Sequence, residues 1–411
     1  MTKIAPFKAL RPVRDKVHLV ATRPYYSYKK NVLMAKLESN PYTFLRIINP
    51  EFGSKINTEA NTKERFNLVS EKYTEFLNEG ILIQDKEPHV YIYRQTKDGH
   101  EFTGIIAGAN VQEYENDLIK KHEATLTSRE AMFTNYLDVV GYNAEPVLLS
   151  YPHEQSIDDL LVEYTKTRPE YEFTTTDKIK HELWILPALE TKMMVAAFEK
   201  IPATYIADGH HRSASSAGLK KHRISKGTSH FENEDSFLAF FMDENRLKIL
   251  EFNRLVKTLN NLSEEEFLAE LTKSFTVKKI SAAKKPEQEH QITMCLQGKW
   301  YELNCKPSII DTNHPVRCLD AEILTQSVLT PILGIHDLKT DESIEFMSGA
   351  ESIASLEEKI TKGKFQVGFI LYPISMEQVK KVADNKLIMP PKSTWVEPKM
   401  RSGLTIYNIN E

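Results

Sequence analysis

The sequence predicts an α/β protein, an α+β arrangement with mixed sheets, and three observations lead there. At 411 residues the chain is long enough for two or three domains. Its middle third alternates β-rich runs with helices, the cadence of a layered architecture. Apolar residues make up 41% and charged residues 27%, the balance of a globular chain that buries a real core. The net charge of -4, with both signs mixed, argues against a surface given over to nucleic acid. The most apolar run, Phe237–Met242, is too short to span a bilayer, and Met1–Pro6 lacks the apolar stretch of a secretory signal, so the expectation is a cytoplasmic protein with no membrane partner. Three cysteines, Cys295, Cys305 and Cys318, match neither a disulfide framework nor a zinc pattern, and they read as small hydrophobes in a reducing compartment.

The elements follow in order. Val17–Ala21 reads as a short strand, and Lys30–Leu37 as a helix stopped by Asn40-Pro41. Thr43–Ile48 reads as a strand ending at Asn49-Pro50, and Thr62–Glu79 as a charged helix. Val90–Arg94 and Glu101–Ala107 are strands joined through Lys97-Asp98-Gly99. Gly104-Ile105-Ile106-Ala107-Gly108 lacks the spacing of a dinucleotide fingerprint and reads as a strand end. Helix is expected from about Val111 to Val140. Strands at Pro146–Ser150 and Glu182–Leu186 then alternate with helices at Gln155–Thr165 and Thr191–Lys200. Ala203–Ala207 is a strand, Ser213–His222 a helix, and Phe237–Met242 a buried central strand.

Composition shifts near Lys257. Ser263–Lys273 has the signature of a capped helix, with acids in its first turn. A strand at Thr276–Ile280, a polar stretch at Ala282–His290, and a hairpin of Ile292–Cys295 with Trp300–Cys305 follow. Helix (Ala321–Leu329), strand (Val367–Tyr372) and helix (Met376–Asn385) close the pattern. The expected division is an N-terminal α/β domain over 1–145, a central domain over 146–256, an αβ insertion over 257–310, and a C-terminal segment over 311–411.

Asp208-Gly209-His210-His211-Arg212 is the strongest chemical signal. It lies between a strand and a small-residue helix, where free backbone N–H groups and the helix dipole favour an anion. Gly209 permits a tight turn, and Arg212 offers a fork of donors to phosphate. His210 and His211 can donate to phosphate or shuttle a proton, and Asp208 can hold Mg²⁺ or act as a base. A second constellation is Lys120-Lys121-His122-Glu123-Ala124-Thr125 with Arg129. If it is helical, His122, Thr125 and Arg129 share a cationic face, a pattern that a solvated helix also produces. The third is Pro390–Lys399, where Lys392, Ser393 and Thr394 could reach a phosphate or simply line a polar loop. Arg11 and Glu51 are weaker candidates. No Walker loop, kinase glycine loop or nucleophile elbow is present.

Six ordered motifs carry a resemblance: Pro6–Pro12, Asn40–Leu45, Lys121–Thr125, Ala207–Arg212, Met389–Thr394 and Ser402-Gly403-Leu404. Together they resemble a bacterial family long filed as a domain of unknown function. At Asp208–Arg212 that family is similar to the ParB/sulfiredoxin-like superfamily, which includes free serine kinases. The resemblance implies a ParB/sulfiredoxin-like core near residues 200–225. It also implies phosphorylation of L-serine to O-phospho-L-serine, with pyrophosphate or ADP as donor; for such phosphoryl transfer the expected cofactor is Mg²⁺. It places phosphate contacts at His210, His211 and Arg212 and a catalytic role at Asp208, and it leaves Glu51 or Glu123 as other bases. Relatives often carry Pro-Tyr-Asp where this chain has Pro24-Tyr25-Tyr26, and an aromatic where Ser213 stands. Rival expectations are a phosphoserine hydrolase, a phospho-ligand sensor, and a ParB-like nucleotide-gated DNA clamp; the last should show a basic stripe that this composition does not supply.

Overall fold

A computed structural model describes residues 1–411. Its contacts divide the chain into two compact units. The first comprises Met1–Lys121, Thr125–Leu247 and Pro398–Glu411, and the second His122–Ala124 and Lys248–Glu397. The four segments expected from the sequence are thus drawn differently. The 257–310 block is not a separate insertion, because its strands belong to a sheet that also takes strands from either side of it.

The first unit is built on a nine-stranded mixed sheet. Its order is Ile119–Lys120, Thr204–Asp208, Val147–Tyr151, Ser236–Asp243, His100–Asn110, Tyr91–Lys97, Lys180–Ile185 and Tyr171–Thr174, with Ile4–Ala5 also pairing with His100–Asn110. Two pairings are parallel, Thr204–Asp208 with Ile119–Lys120 and Ser236–Asp243 with Val147–Tyr151; the others are antiparallel. Ser236–Asp243 is buried at every position and lies inside the sheet, which is why its sequence is apolar without alternation. Ile105, Leu149, Ile206, Phe237 and Phe241 form its core with Met194 and Phe198 of the Ala188–Phe198 helix.

The second unit carries a six-stranded antiparallel sheet in the order Phe275–Ile280, Lys299–Cys305, Gln291–Leu296, Val367–Ile370, Phe252–Val256, Ile344–Ser348. The Glu264–Ser274 helix packs Phe267 and Leu271 into its core. Ser263 caps that helix as the sequence indicates: its hydroxyl accepts from the Glu266 N–H, and the Glu266 carboxylate accepts from the Ser263 N–H. Cys295 is buried, with its thiol pushed up to about 11 by burial, and Cys305 is pushed up to about 12. Neither is a reactive thiol. No helix is long and apolar enough to cross a membrane.

Three elements depart from the sequence expectation. Val17–Val20 is a helical turn, not a strand; Val17 and Val20 are buried three residues apart while His18 points out, so packing overrides β-branched propensity. Leu45–Ile48 is likewise helical. The expected helix from Val111 to Val140 is interrupted. It comprises a helix at Val111–Glu115, the strand Ile119–Lys120, and a helix at Thr127–Val140, with Asp117 at φ 60° in the turn between the first two. Gly104–Gly108 lies within the His100–Asn110 strand rather than at its end.

Candidate active site

In the first unit the Thr204–Asp208 strand runs into the His210–Lys226 helix through Gly209 alone. Tyr205, Ile206 and Ala207 are buried and fix the strand. Its register against Val147–Tyr151 slips between Ile206 and Asp208, a bulge that re-aims the aspartate at the strand end. Gly209 has φ 106°, a conformation that L side chains rarely adopt, and an added Cβ would lie 3.0 Å from the Arg212 guanidinium. Glycine therefore lets Arg212 fold back over the junction. Gly209 brings no side-chain cap to the helix, whose dipole sets its positive end at this junction.

The charges here are matched in pairs. Arg212 binds Asp208 at 3.0 Å and Glu145 at 2.8 Å, and its Nη1 also donates to the Glu145 and Pro146 carbonyls. Lys399 lies 3.3 Å from the other Asp208 oxygen. Burial pushes the Asp208 carboxyl up, but Lys399 and Arg212 outweigh it and hold the group below the usual carboxylate range. Asp208 is therefore ionised at neutral pH.

His210 is buried, and burial lowers its pKa to about 3 against the pull of Asp208. The proton-shuttle role expected near neutral pH is corrected: His210 is a neutral imidazole there, able to donate one N–H but carrying no charge.

Two participants were not singled out as ligands by the sequence, Glu145 and Lys399, the latter closing the Pro390–Lys399 stretch. Glu145 comes from the chain leading into the neighbouring antiparallel strand, and Ser402 donates to it at 3.0 Å. Lys399 sits on the closing segment, its carbonyl accepting from Gln95 at 3.2 Å. Arg401, two residues on, pairs with Asp177 at 2.9 Å. Neither Glu145 nor Lys399 has a local spacing signal, because each reaches the site through strand pairing or a long chain return. Tyr26 lies where the charges of Asp208, Glu145 and Arg212 reach its phenol. It also lines a cavity of about 560 Å³ with Tyr25, Tyr28, Phe52, Glu51 and Arg65.

The weaker candidates separate. Arg11 is buried and committed to Asp85 (2.8 Å), Glu170 (3.2 Å) and the Tyr171 hydroxyl (2.7 Å), so it is a structural cation and not a phosphate ligand. Glu51, offered by the sequence as a possible base, accepts from the Thr58 N–H and hydroxyl and pairs with Arg65 at 2.6 Å, contacts that lower it to about 2 and keep it ionised. His122–Thr125 is not helical, so His122, Thr125 and Arg129 share no helix face. Thr125 donates to Glu130, and Arg129 borders a shallow hollow with Asn61, Met132 and Phe133.

His122 and Glu123 belong to the second unit, where the His122 carbonyl accepts from the Met389 N–H at 2.9 Å and thereby joins two of the motifs. Ser393 is buried, its hydroxyl spent on the Pro390 carbonyl at 2.7 Å, and so not a free ligand. Lys392, with φ 56°, sets its ammonium over the Phe252 ring at 5.5 Å; Thr394 follows at intermediate exposure.

The chain belongs to the family described as "Protein of unknown function (DUF1015)", whose profile matches residues 4–322. No curated protein matches it. Among solved structures it is similar to one described as "Free serine kinase in complex with AMP", at 13% identity over 73% of this chain and 91% of that one, with a TM-score of 0.36. It is also similar to "SbnI with C-terminal truncation from Staphylococcus aureus", at 11% identity over 71% and 82%, with a TM-score of 0.37. A conserved hypothetical protein from Pyrococcus furiosus matches at 13% identity over 73% and 95%, with a TM-score of 0.34.

Proposed function

We propose that the protein is a small-molecule phosphotransferase that forms O-phospho-L-serine from free L-serine, using the Asp208–Arg212 junction to hold the phosphoryl group. One observation carries this reading: an ionised aspartate, set between Lys399 and Arg212, stands at the uncapped start of a long helix. Phosphoryl transfer asks mainly for positioning and charge neutralisation, and this junction offers both. The helix amides, His211, the neutral His210 and Arg212 hold the phosphoryl oxygens. The serine hydroxyl donates to Asp208, its oxygen bonds to phosphorus as the bond to the leaving group breaks, and its proton passes to the carboxylate.

The cavity beside Tyr26 receives the amino acid, with Glu51 as an ionised partner for its ammonium rather than as a base. Asp208 and Glu145 are hard oxygen donors of the kind Mg²⁺ takes, and the ion when bound there supplies further neutralisation of phosphate charge. His122, Glu123, Lys392 and Thr394 are kept as proposed ligand contacts of the second unit.

The test is incubation of the protein with L-serine and Mg²⁺ and, in separate reactions, pyrophosphate, ADP or ATP, with O-phosphoserine read by mass spectrometry. Product with one donor names that donor. Product with none overturns the kinase, and phosphate release from phosphoserine without an acceptor marks a hydrolase instead.

A further inference from the structure

We propose that the second unit carries an oxyanion site at Arg254, which takes the carboxylate or phosphate of a small molecule. Arg254 lies mid-strand in Phe252–Val256, opposite Phe346 on one neighbouring strand and Phe369 on the other. Its side chain is wholly buried, and its guanidinium lies over the Phe346 ring at 5.4 Å. Nη1 donates to the Phe252 carbonyl, whereas Nε and Nη2 have no hydrogen-bond partner in the chain. Those two nitrogens form one edge of the guanidinium. Their N–H bonds run parallel, the fork that grips two oxygens of a carboxylate or phosphate.

The other buried arginines of the chain show what this one lacks. Arg11 meets Asp85 and Glu170, Arg223 meets Asp138 and Glu234, and Arg401 meets Asp177. No carboxylate pairs with Arg254; burial alone acts on it, drawing it down to about 9, so it remains a cation at neutral pH. An uncompensated buried charge is strongly unfavourable, and an anion bound on the unpaired edge relieves it. The residue whose carbonyl fixes Arg254 also carries a second cation on its ring: Phe252 lies under the Lys392 ammonium at 5.5 Å and edge-on to Trp395 at 5.6 Å. These residues all belong to the second unit, so the site does not depend on the reading of Asp208.

Thermal unfolding of the full chain tests it, in chloride against phosphate, L-serine or O-phosphoserine at matched ionic strength. It is run on the wild type and on Arg212→Ala, which weakens the first-unit anion site. In both, Tm should rise saturably with at least one of these ligands. The phosphate and serine arms show which oxyanion is held. Adding Arg254→Met to Arg212→Ala should abolish that rise, with no lower Tm in chloride. Arg254→Lys, which keeps the charge and loses the fork, should bind at least tenfold more weakly and guards against a Met variant that fails to fold. No saturable rise, or an equal rise after Arg254→Met, overturns the proposal. Loss of serine phosphorylation with the rise intact would instead discredit the function proposed at Asp208.

Discussion

Arg212 and Arg254 are both held by strand-borne frameworks, one in each unit, and their electrostatic settings are opposite. Arg212 is ringed by Asp208, Glu145 and two carbonyls, with Lys399 on the far side of Asp208. Its charge is balanced before any ligand arrives. Arg254 has one carbonyl, an aromatic ring and no counter-charge. The difference teaches where each unit gains from an anion. In the first unit a phosphoryl group must displace or share existing partners, which favours a site that grips selectively and releases. In the second it meets a buried cation with an unpaired edge.

The largest expected effect breaks the comparison directly. Arg212→Met should destabilise the protein by about 1–3 kcal/mol, because two carboxylates lose their cation; partial exposure keeps the cost below that of a fully buried pair. Arg254→Met should be neutral or stabilising by about 1–4 kcal/mol without ligand, since it removes an uncompensated charge and leaves a similar volume. Chemical denaturation of the two variants reads the contrast. Equal losses would show that the arginines are kept for the same reason.

A smaller effect sharpens the account of the first unit. His181 is wholly buried, its ring nitrogens against the Tyr93 and Thr175 hydroxyls at 2.7 Å and 3.2 Å. Burial, helped by Arg401, lowers its pKa to about 3, below its ordinary 6.5. The unfolded chain therefore binds the proton that the folded chain refuses. Stability from this residue is present above about pH 6.5 and lost as pH falls toward 3. Between pH 7 and pH 5 the wild type should lose about 2 kcal/mol through this group, at about 1.4 kcal/mol per pKa unit. His181→Gln should flatten that slope, and an unchanged slope would place the acid sensitivity elsewhere.

Much of this was legible in the sequence because the signals were local. The Ser263–Glu266 cap, the Lys97-Asp98-Gly99 turn and the apolar run at Phe237–Met242 each announce their own geometry. So does the Asp208–Arg212 junction, where glycine must stand between strand and helix. What failed was tertiary. Val17–Val20 carries β-branched residues yet turns as a helix, since its burial comes from packing. His122, Thr125 and Arg129 have helical spacing, but the chain there is committed to a strand at Ile119–Lys120 and then to a loop. Glu145 reaches Arg212 from 67 residues before it, and Lys399 reaches Asp208 from 191 after. Arg11 looks like a ligand in isolation, and only its partners show it to be spent.

The central claim rests on Asp208, and its most direct test is the rate of O-phosphoserine formation by Asp208→Asn beside the wild type, with the best donor and saturating L-serine. The substitution keeps the volume and removes the charge, so turnover should fall 10²–10³-fold, about 3–4 kcal/mol of barrier, while the protein stays folded. Turnover by Asp208→Asn within a few-fold of wild type would contradict the assignment and move the chemistry away from this junction.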